Sequence, residues 1–330
     1  MTVDTEADNQ WAHGIPLSTA NVGYWEPFQR ICQERGVAPT YLVTSEIAAD
    51  PAAQVLLRRW ISAGAAEVGA HLHPWTTPPF DEKPGFGFND RSHAFISELP
   101  IDLVRAKLET LTGQIQDTFG VRPTAFRAGR FGLNNSSAQV LAELGYLVDS
   151  SVTPLTNWSR TPGLPNGLGG PDFSSHSSAP FIVAETGDPG LLEIPVTVTP
   201  TYDYLRRSPA LLRRYQRSIP VRALRKASRG RWPRPQPVWL HPAHLQTPGN
   251  LQKACESQVT NYGVAVMMVH SSELMPGGSP RTPTPESVRA VLARLEVFLD
   301  YCLKKGIIGM TLSEAAVQIR AQRRLEVHPL

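Results

Sequence analysis

Glu67-Val68-Gly69-Ala70-His71-Leu72-His73-Pro74-Trp75 reads as a β-strand that ends in two imidazoles two residues apart. Side chains at i and i+2 of a strand share a face, so His71 and His73 can grip one ion. A second pair of this kind opens the chain: Asp4 and Glu6 in Thr2-Val3-Asp4-Thr5-Glu6-Ala7-Asp8, where strand geometry again puts two carboxylates on one side. Two imidazoles and a carboxylate form a donor set for a divalent metal, with room left for water.

Strand-like and helical segments alternate outward from that stretch. Residues 22–35 read as a helix stopped by Gly36 and followed by the strand Thr40–Thr44; Asp50-Pro51 then caps a helix through Ile61 that ends near Gly64. A Pro- and Gly-bearing excursion at 74–98 precedes a helical stripe of Val104, Leu108, Leu111, Ile115 and Phe119, ended by Gly120. The strand Thr124–Arg130 follows, then a helix capped by Asn135, the strand Tyr146–Asp149 and a second irregular stretch at 154–190. Further strands are expected at Leu192–Val198, Val238–Leu240 and Val264–Val269, the last running into His270. A long helix begins at Thr284-Pro285 and ends at Lys304-Lys305-Gly306 with basic residues at its negative pole. Alternating β and α with apolar strands means an α/β fold on a parallel sheet, open or closed into a barrel.

With 330 residues, 41% apolar and 18% charged, the chain can bury a large core, and a single domain over 1–330 is expected. Cys32, Cys255 and Cys302 are far apart and odd in number, which argues against a disulfide framework or a CxxC zinc site and fits a reducing compartment. No apolar run reaches the ~18 residues that span a bilayer, and no basic region leads an apolar segment at the N-terminus, so a cytoplasmic location is expected. Nucleic acid is not an expected partner. The net charge of +3 hides an asymmetry, because residues 205–236 carry eleven Arg or Lys and no Asp or Glu. This insertion, 203–237, reads as a solvated basic helix starting at Ser208-Pro209 followed by a Pro-rich linker; the sharper reading is a patch for an anionic glycan, a lipid phosphate or the membrane surface.

The polar residues decide the chemistry. Asp4 and Glu6, His71 and His73, Arg127 and Arg130, Asp149, and His270 each fall at the C-terminal end of an expected strand, where parallel barrels keep their active sites. Each has a plainer reading: barrel packing for the histidines, frayed surface carboxylates for Asp4 and Glu6, a structural ion pair for the arginines, a loop cap for Asp149. In order, Thr2-Val3-Asp4, Glu67-Val68-Gly69-Ala70-His71, Phe126-Arg127-Ala128-Gly129-Arg130-Phe131-Gly132, Asp149-Ser150-Ser151-Val152 and Val269-His270-Ser271 resemble the successive motifs of the polysaccharide deacetylases, the NodB-homology carbohydrate esterases. The likeness runs from residue 2 to about 275. It implies a distorted (β/α) barrel of about seven strands, a divalent metal, commonly zinc, and hydrolysis of an N-acetyl group on a saccharide.

By the same resemblance Asp4 is the catalytic base, His71 the first histidine ligand, Arg127 the arginine that orients the base and His270 the general acid. Two departures follow the period-two rule. The family's Asp-Asp pair is Asp4-Thr5 here, so Glu6 is the expected metal carboxylate; His-x-x-x-His spacing would place a ligand at Trp75, which cannot bind metal, so His73 is the expected replacement. Trp75 is then assigned to substrate, Arg130 either to substrate or to orienting the base in place of Arg127, and Asp149 to raising the pKa of His270. His241-Pro242-Ala243-His244 and Asp172-Phe173-Ser174-Ser175-His176 also have ligand spacings but fall outside the motif order, and are read as substrate-side or incidental. Two rival readings are a barrel that has lost catalysis and binds glycans or a partner, and a hydrolase of small cyclic amides.

Overall fold

The computed structural model describes residues 1–8, 10, 17–161, 169–200, 211, 237–244, 247–322 and 325–330. The basic block, with its expected helix and its anionic or membrane contact, lies outside the described residues except for Leu211. The strands are β1 (Thr2–Thr5), β2 (Thr40–Val43), β3 (Glu67–Leu72), β4 (Ala125–Ala128), β5 (Val148–Asp149), β6 (Phe181–Val183), β7 (Leu192–Glu193), β8 (Val198–Pro200), β9 (Pro237–Trp239), β10 (Met268–His270) and β11 (Val327–His328). Helices are α1 (Trp25–Gln33), α2 (Ser45–Ala49), α3 (Pro51–Ser62), α4 (Ile101–Phe119), α5 (Asn135–Glu143), α6 (Pro248–Tyr262), α7 (Pro285–Lys304) and α8 (Leu312–Gln322).

Among the described residues nine strands share one sheet in the order β10-β1-β2-β3-β4-β5-β7-β6-β11, parallel from β10 to β7, while β8 and β9 form a separate antiparallel ribbon. Backbone hydrogen bonds carry the sheet round on itself. The Ile194 and Val196 N–H groups donate to Asp149 and Val152 carbonyls at 2.9 Å, and the Thr197 N–H then donates to Val266 at 3.1 Å, beside β10. The circuit is that of a mostly parallel, distorted (β/α) barrel, as the sequence implied.

Register sorts every strand residue into one of two layers, because in-register neighbours of a parallel sheet point the same way and successive residues do not. Asp4 is in register with Leu42 and His270, Leu42 with Gly69, and His71 with Arg127. This face is the barrel interior: its lower part is apolar, with Leu42, Ala125, Val148, Leu192, Ile194 and Val266 packed on Leu312, Ala315, Ala316 and Ile319 of α8. The opposite face, Val3, Tyr41, Val43, Val68, Ala70, Leu72, Phe126 and Val269, belongs to the larger core that the surrounding helices cover. Helix α8 therefore plugs the N-terminal end of the barrel. Glu67, at the start of β3, holds the plug: its Oε2 accepts the Leu312 and Ser313 N–H groups at 3.0 and 3.3 Å and the Thr40 hydroxyl at 2.6 Å, placing negative charge on the positive end of a helix.

Local signals account for most helix ends. Asp50 accepts the Ala53 N–H at 2.8 Å with Pro51 at the first helical position, and Gly120 closes α4 at φ 72°. One cap moves by a residue: Asn134, not Asn135, accepts the Ser137 N–H at 2.9 Å and starts α5.

Candidate functional site

With the lower interior filled, the polar side chains of the upper layer face a cavity of about 470 Å³ at the C-terminal ends of the strands. Asp4, Glu6, His71, His73, Trp75, Arg130 and His270 all line it. Register with His270 brings Asp4 beside that histidine, since adjacent parallel strands lie about 4.8 Å apart.

Arg127, in register with His71, does not line the cavity; it is fully buried, with its fork fixed at three points: Nε donates to the Ser150 carbonyl at 2.6 Å, Nη2 to the Ser150 hydroxyl at 3.0 Å, and Nη1 to Asp4 Oδ1. Burial alone would raise the Asp4 carboxyl, but Arg127, through its charge and its hydrogen bond, together with His270 outweighs it and holds it below its ordinary value. Asp4 is consequently an anion at neutral pH, held in one orientation.

Glu6, His71 and His73 gather above it, their donor atoms all within 4.8 Å of one another. Glu6 Oε2 lies 3.2 Å from His73 Nε2 and 3.7 Å from His71 Nε2. His71 Nδ1 sits 2.9 Å from the Arg127 carbonyl oxygen, which can only accept, so the neutral ring keeps its proton there and offers the Nε2 lone pair to the cluster. Burial above all, with the charges of Arg91 and Arg130 beside it, holds His73 well below the usual histidine value, which keeps it a lone-pair donor. Gly129 makes room for its ring: a Cβ there would fall 2.3 Å from His73 Cδ2 and 2.6 Å from the Leu72 carbonyl oxygen. Trp75 stacks on His73 with ring centroids 4.4 Å apart, so it supports the second imidazole as well as lining the cavity. Ser271 ties β1 to β10 by accepting the Glu6 N–H at 3.1 Å and donating to the Glu6 carbonyl at 3.2 Å. Two imidazole nitrogens and one carboxylate oxygen, one imidazole already tautomerically fixed, fit a divalent metal.

His270 faces the cavity from β10 with its side chain 18% exposed. Burial would lower its pKa, but Glu273, and more weakly Glu6 and Asp4, push it up to about 9. Glu273 was not foreseen. Fully buried in the turn after β10, it accepts the His270 N–H at 3.0 Å, and its Oε2 is 3.6 Å from His270 Nδ1 and 3.3 Å from His241 Nε2.

Asp149 does not have the role expected of it. In register with Phe126 and Glu193, it points to the helix-facing side, opposite to Arg127, and accepts the Ser151 N–H and hydroxyl at 2.9 and 2.7 Å. Burial raises both Asp149 and Glu193, and the charge of Asp149 pushes Glu193 up further.

His241 and His244, set aside on sequence, line the same cavity. His241, His270 and Glu273 also bring ligand-type atoms together. Tautomer separates this cluster from the first: the Ala243 N–H donates to His241 Nδ1 at 3.2 Å, so the neutral ring keeps its proton on Nε2, facing Glu273. Burial drives His241 down to about 3 and His244 to about 4. In this second cluster His241 and His270 both face the one carboxylate, Glu273. His176 is not among the residues that line the cavity.

No protein-family model matches the sequence, and no curated protein matches it. Solved structures do. A protein described as a polysaccharide deacetylase of Mycobacterium smegmatis superposes over 100% of this chain and 92% of its own, with a TM-score of 0.55 and 16% identity. PuuE allantoinase matches over 97% of this chain and 84% of its own at a TM-score of 0.50 and 14% identity. The 4-alpha-glucanotransferase of Thermococcus litoralis contains a similar region, 39% of its length, at 0.52 and 14%. The chain has the NodB-like fold of the polysaccharide deacetylases.

Proposed function

We propose that this chain is a metal-dependent hydrolase that removes an N-acetyl group from a saccharide. One observation carries the reading: around a single cavity the barrel assembles a Glu6/His71/His73 donor set, a carboxylate fixed by Arg127 and a histidine that stays protonated at neutral pH. A divalent metal on that donor set, zinc being the commonest, supplies Lewis acidity, activating water and polarising the amide carbonyl. Asp4 takes the proton of the attacking water, with Arg127 keeping the acceptor oxygen in place. His270 gives its Nε2 or Nδ1 proton to the departing nitrogen as the C–N bond breaks, and acetate and the free amine leave. Glu273 keeps that proton on the ring until it is needed. Trp75 and Arg130, which line the same cavity, would contact the sugar.

The test joins metal analysis to acetate release from N-acetylated oligosaccharides. Wild type is expected to carry about one divalent ion per chain and to release acetate, and His71→Ala and His73→Ala to lose both. Unchanged metal content in both variants would remove the proposed centre. The same base, acid and donor set also suits a cyclic amide, and the fold is shared with an allantoinase; turnover of allantoin without acetate release from any acetylated sugar would transfer the assignment to that chemistry.

A further inference from the structure

The cavity wall beyond the reacting groups has a composition of its own. Three guanidinium groups, Arg91, Arg130 and Arg281, line it together with an aromatic wall of Phe131, Trp158 and Trp239. The wall is continuous: Phe131 stacks on Trp158 at 5.5 Å and tilts against Trp239 at 5.7 Å between ring centroids.

Arg130 is the informative member. Among the described residues its guanidinium forms no hydrogen bond and no ion pair; it lies over the Phe95 ring, 4.9 Å from the centroid. It is half-buried, and burial followed by the nearby charge of Arg91 pushes it below the usual arginine value, opposed by Glu98. A guanidinium is always charged, and a charge drawn out of water is unfavourable without a counter-charge. The backbone adds a second cost at the same place, with φ of 54° at Arg130 and 60° at Phe131, the left-handed region that residues with a Cβ avoid. Arg91 is fixed beside it: Nη1 donates to the Gln10 carbonyl at 2.8 Å and the guanidinium lies over Trp75 at 5.2 Å. Arg281 holds Glu273 Oε1 at 3.3 Å. Glu98 acts on Arg130 only through space, without an ion pair, and Arg127 already answers Asp4, so a neutral acetylated sugar would leave the Arg130 guanidinium without a hydrogen-bonded anion.

We infer that the cavity selects a saccharide carrying an anionic substituent, a carboxylate or a phosphate, which Arg130 receives with Arg91 beside it while the ring lies against the Phe131/Trp158/Trp239 wall. The inference rests on reading the cavity as a sugar deacetylase site, and it gives that substrate a charge.

Binding is measured without turnover, by the intrinsic fluorescence of the cavity tryptophans, for N-acetylglucosamine 6-phosphate, N-acetylmuramic acid and neutral N-acetylglucosamine. At least one anionic probe should bind about tenfold or more tightly than the neutral sugar, and the better one identifies phosphate or carboxylate as the source of the charge. In Arg130→Gln, and less fully in Arg91→Gln, the ratio of anionic to neutral affinity should fall towards one. Equal affinities for all three probes, no binding of either anion up to millimolar concentration, or a preference that survives both substitutions would overturn the inference. Charge-selective binding without acetate release would retract the deacetylase reading alone; acetate release from neutral and anionic sugars alike would retract the charge selection alone.

Discussion

Replacing Glu273 with glutamine keeps the shape of the side chain and removes the charge that faces His270. In the native protein burial works against the imidazolium, and the Glu273 charge is the first of the influences that reverse this, bringing His270 to about 9. Without that charge the ring should titrate at its ordinary value of about 6.5 or lower, because burial then goes largely unopposed. At about pH 7.5 the protonated fraction falls from about 97% to about 9% or less, so kcat/KM there should fall about tenfold from protonation alone. The alkaline limb of the pH–rate profile should retreat from about 9 to about 6.5 or below. Side-chain 15N NMR reads the same change without a substrate, the His270 resonance being the one missing in His270→Ala. A raised histidine pKa stabilises the fold fully below about pH 6.5, where folded and unfolded chains are both protonated, and this contribution fades as pH climbs through about 9. The charge pairing should therefore show as a wild-type stability advantage that shrinks from near-neutral to alkaline pH. A His270 that still titrates near 9 in Glu273→Gln would refute the assignment of the shift to Glu273.

Arg127→Met should cost about 3–5 kcal/mol in denaturant unfolding, because Asp4 is left buried and charged without its partner; adding Asp4→Asn should recover part of that loss while activity stays absent. Gly129→Ala places a methyl 2.3 Å from His73 Cδ2 and 2.6 Å from the Leu72 carbonyl, so it should cost about 1–3 kcal/mol of stability and lower metal content on elemental analysis. Glu67→Gln weakens the hold on the first turn of α8 and should cost about 0.5–2 kcal/mol, checked by urea unfolding, with metal content kept because the change is at the opposite end of the barrel.

The period-two rule carried the sequence reading far. It placed Asp4 with Glu6 and His71 with His73, and both pairs line the cavity although β1 ends at Thr5 and β3 at Leu72. The rule also accounts for Asp149: strand-end position says that a residue is high in the barrel, whereas register says which way it points, and register requires knowing that Phe126, not Arg127, is its neighbour. Glu273 escaped because it acts from a turn, where neither strand nor helix period applies. Its signal was an acid three residues after His270, the spacing at which a carboxylate can return to a backbone N–H. His241 and His244 were visible as a pair but sat in a Pro-rich setting, and only the β9 ribbon brings them to the cavity. Helices α6 and α8 were missed altogether. The plug, α8, makes sense only when the barrel it closes is known.

Asp4, His71, Arg127 and His270 stand on interior positions of β1, β3, β4 and β10, where a shift of one residue would turn each to the outer face. Arg91, Trp158 and Arg281 come from connecting segments that no ladder constrains. A barrel built this way is modular: its connecting segments could be grafted or diversified, changing which molecule the cavity accepts, while the polar cluster on the strands keeps its geometry.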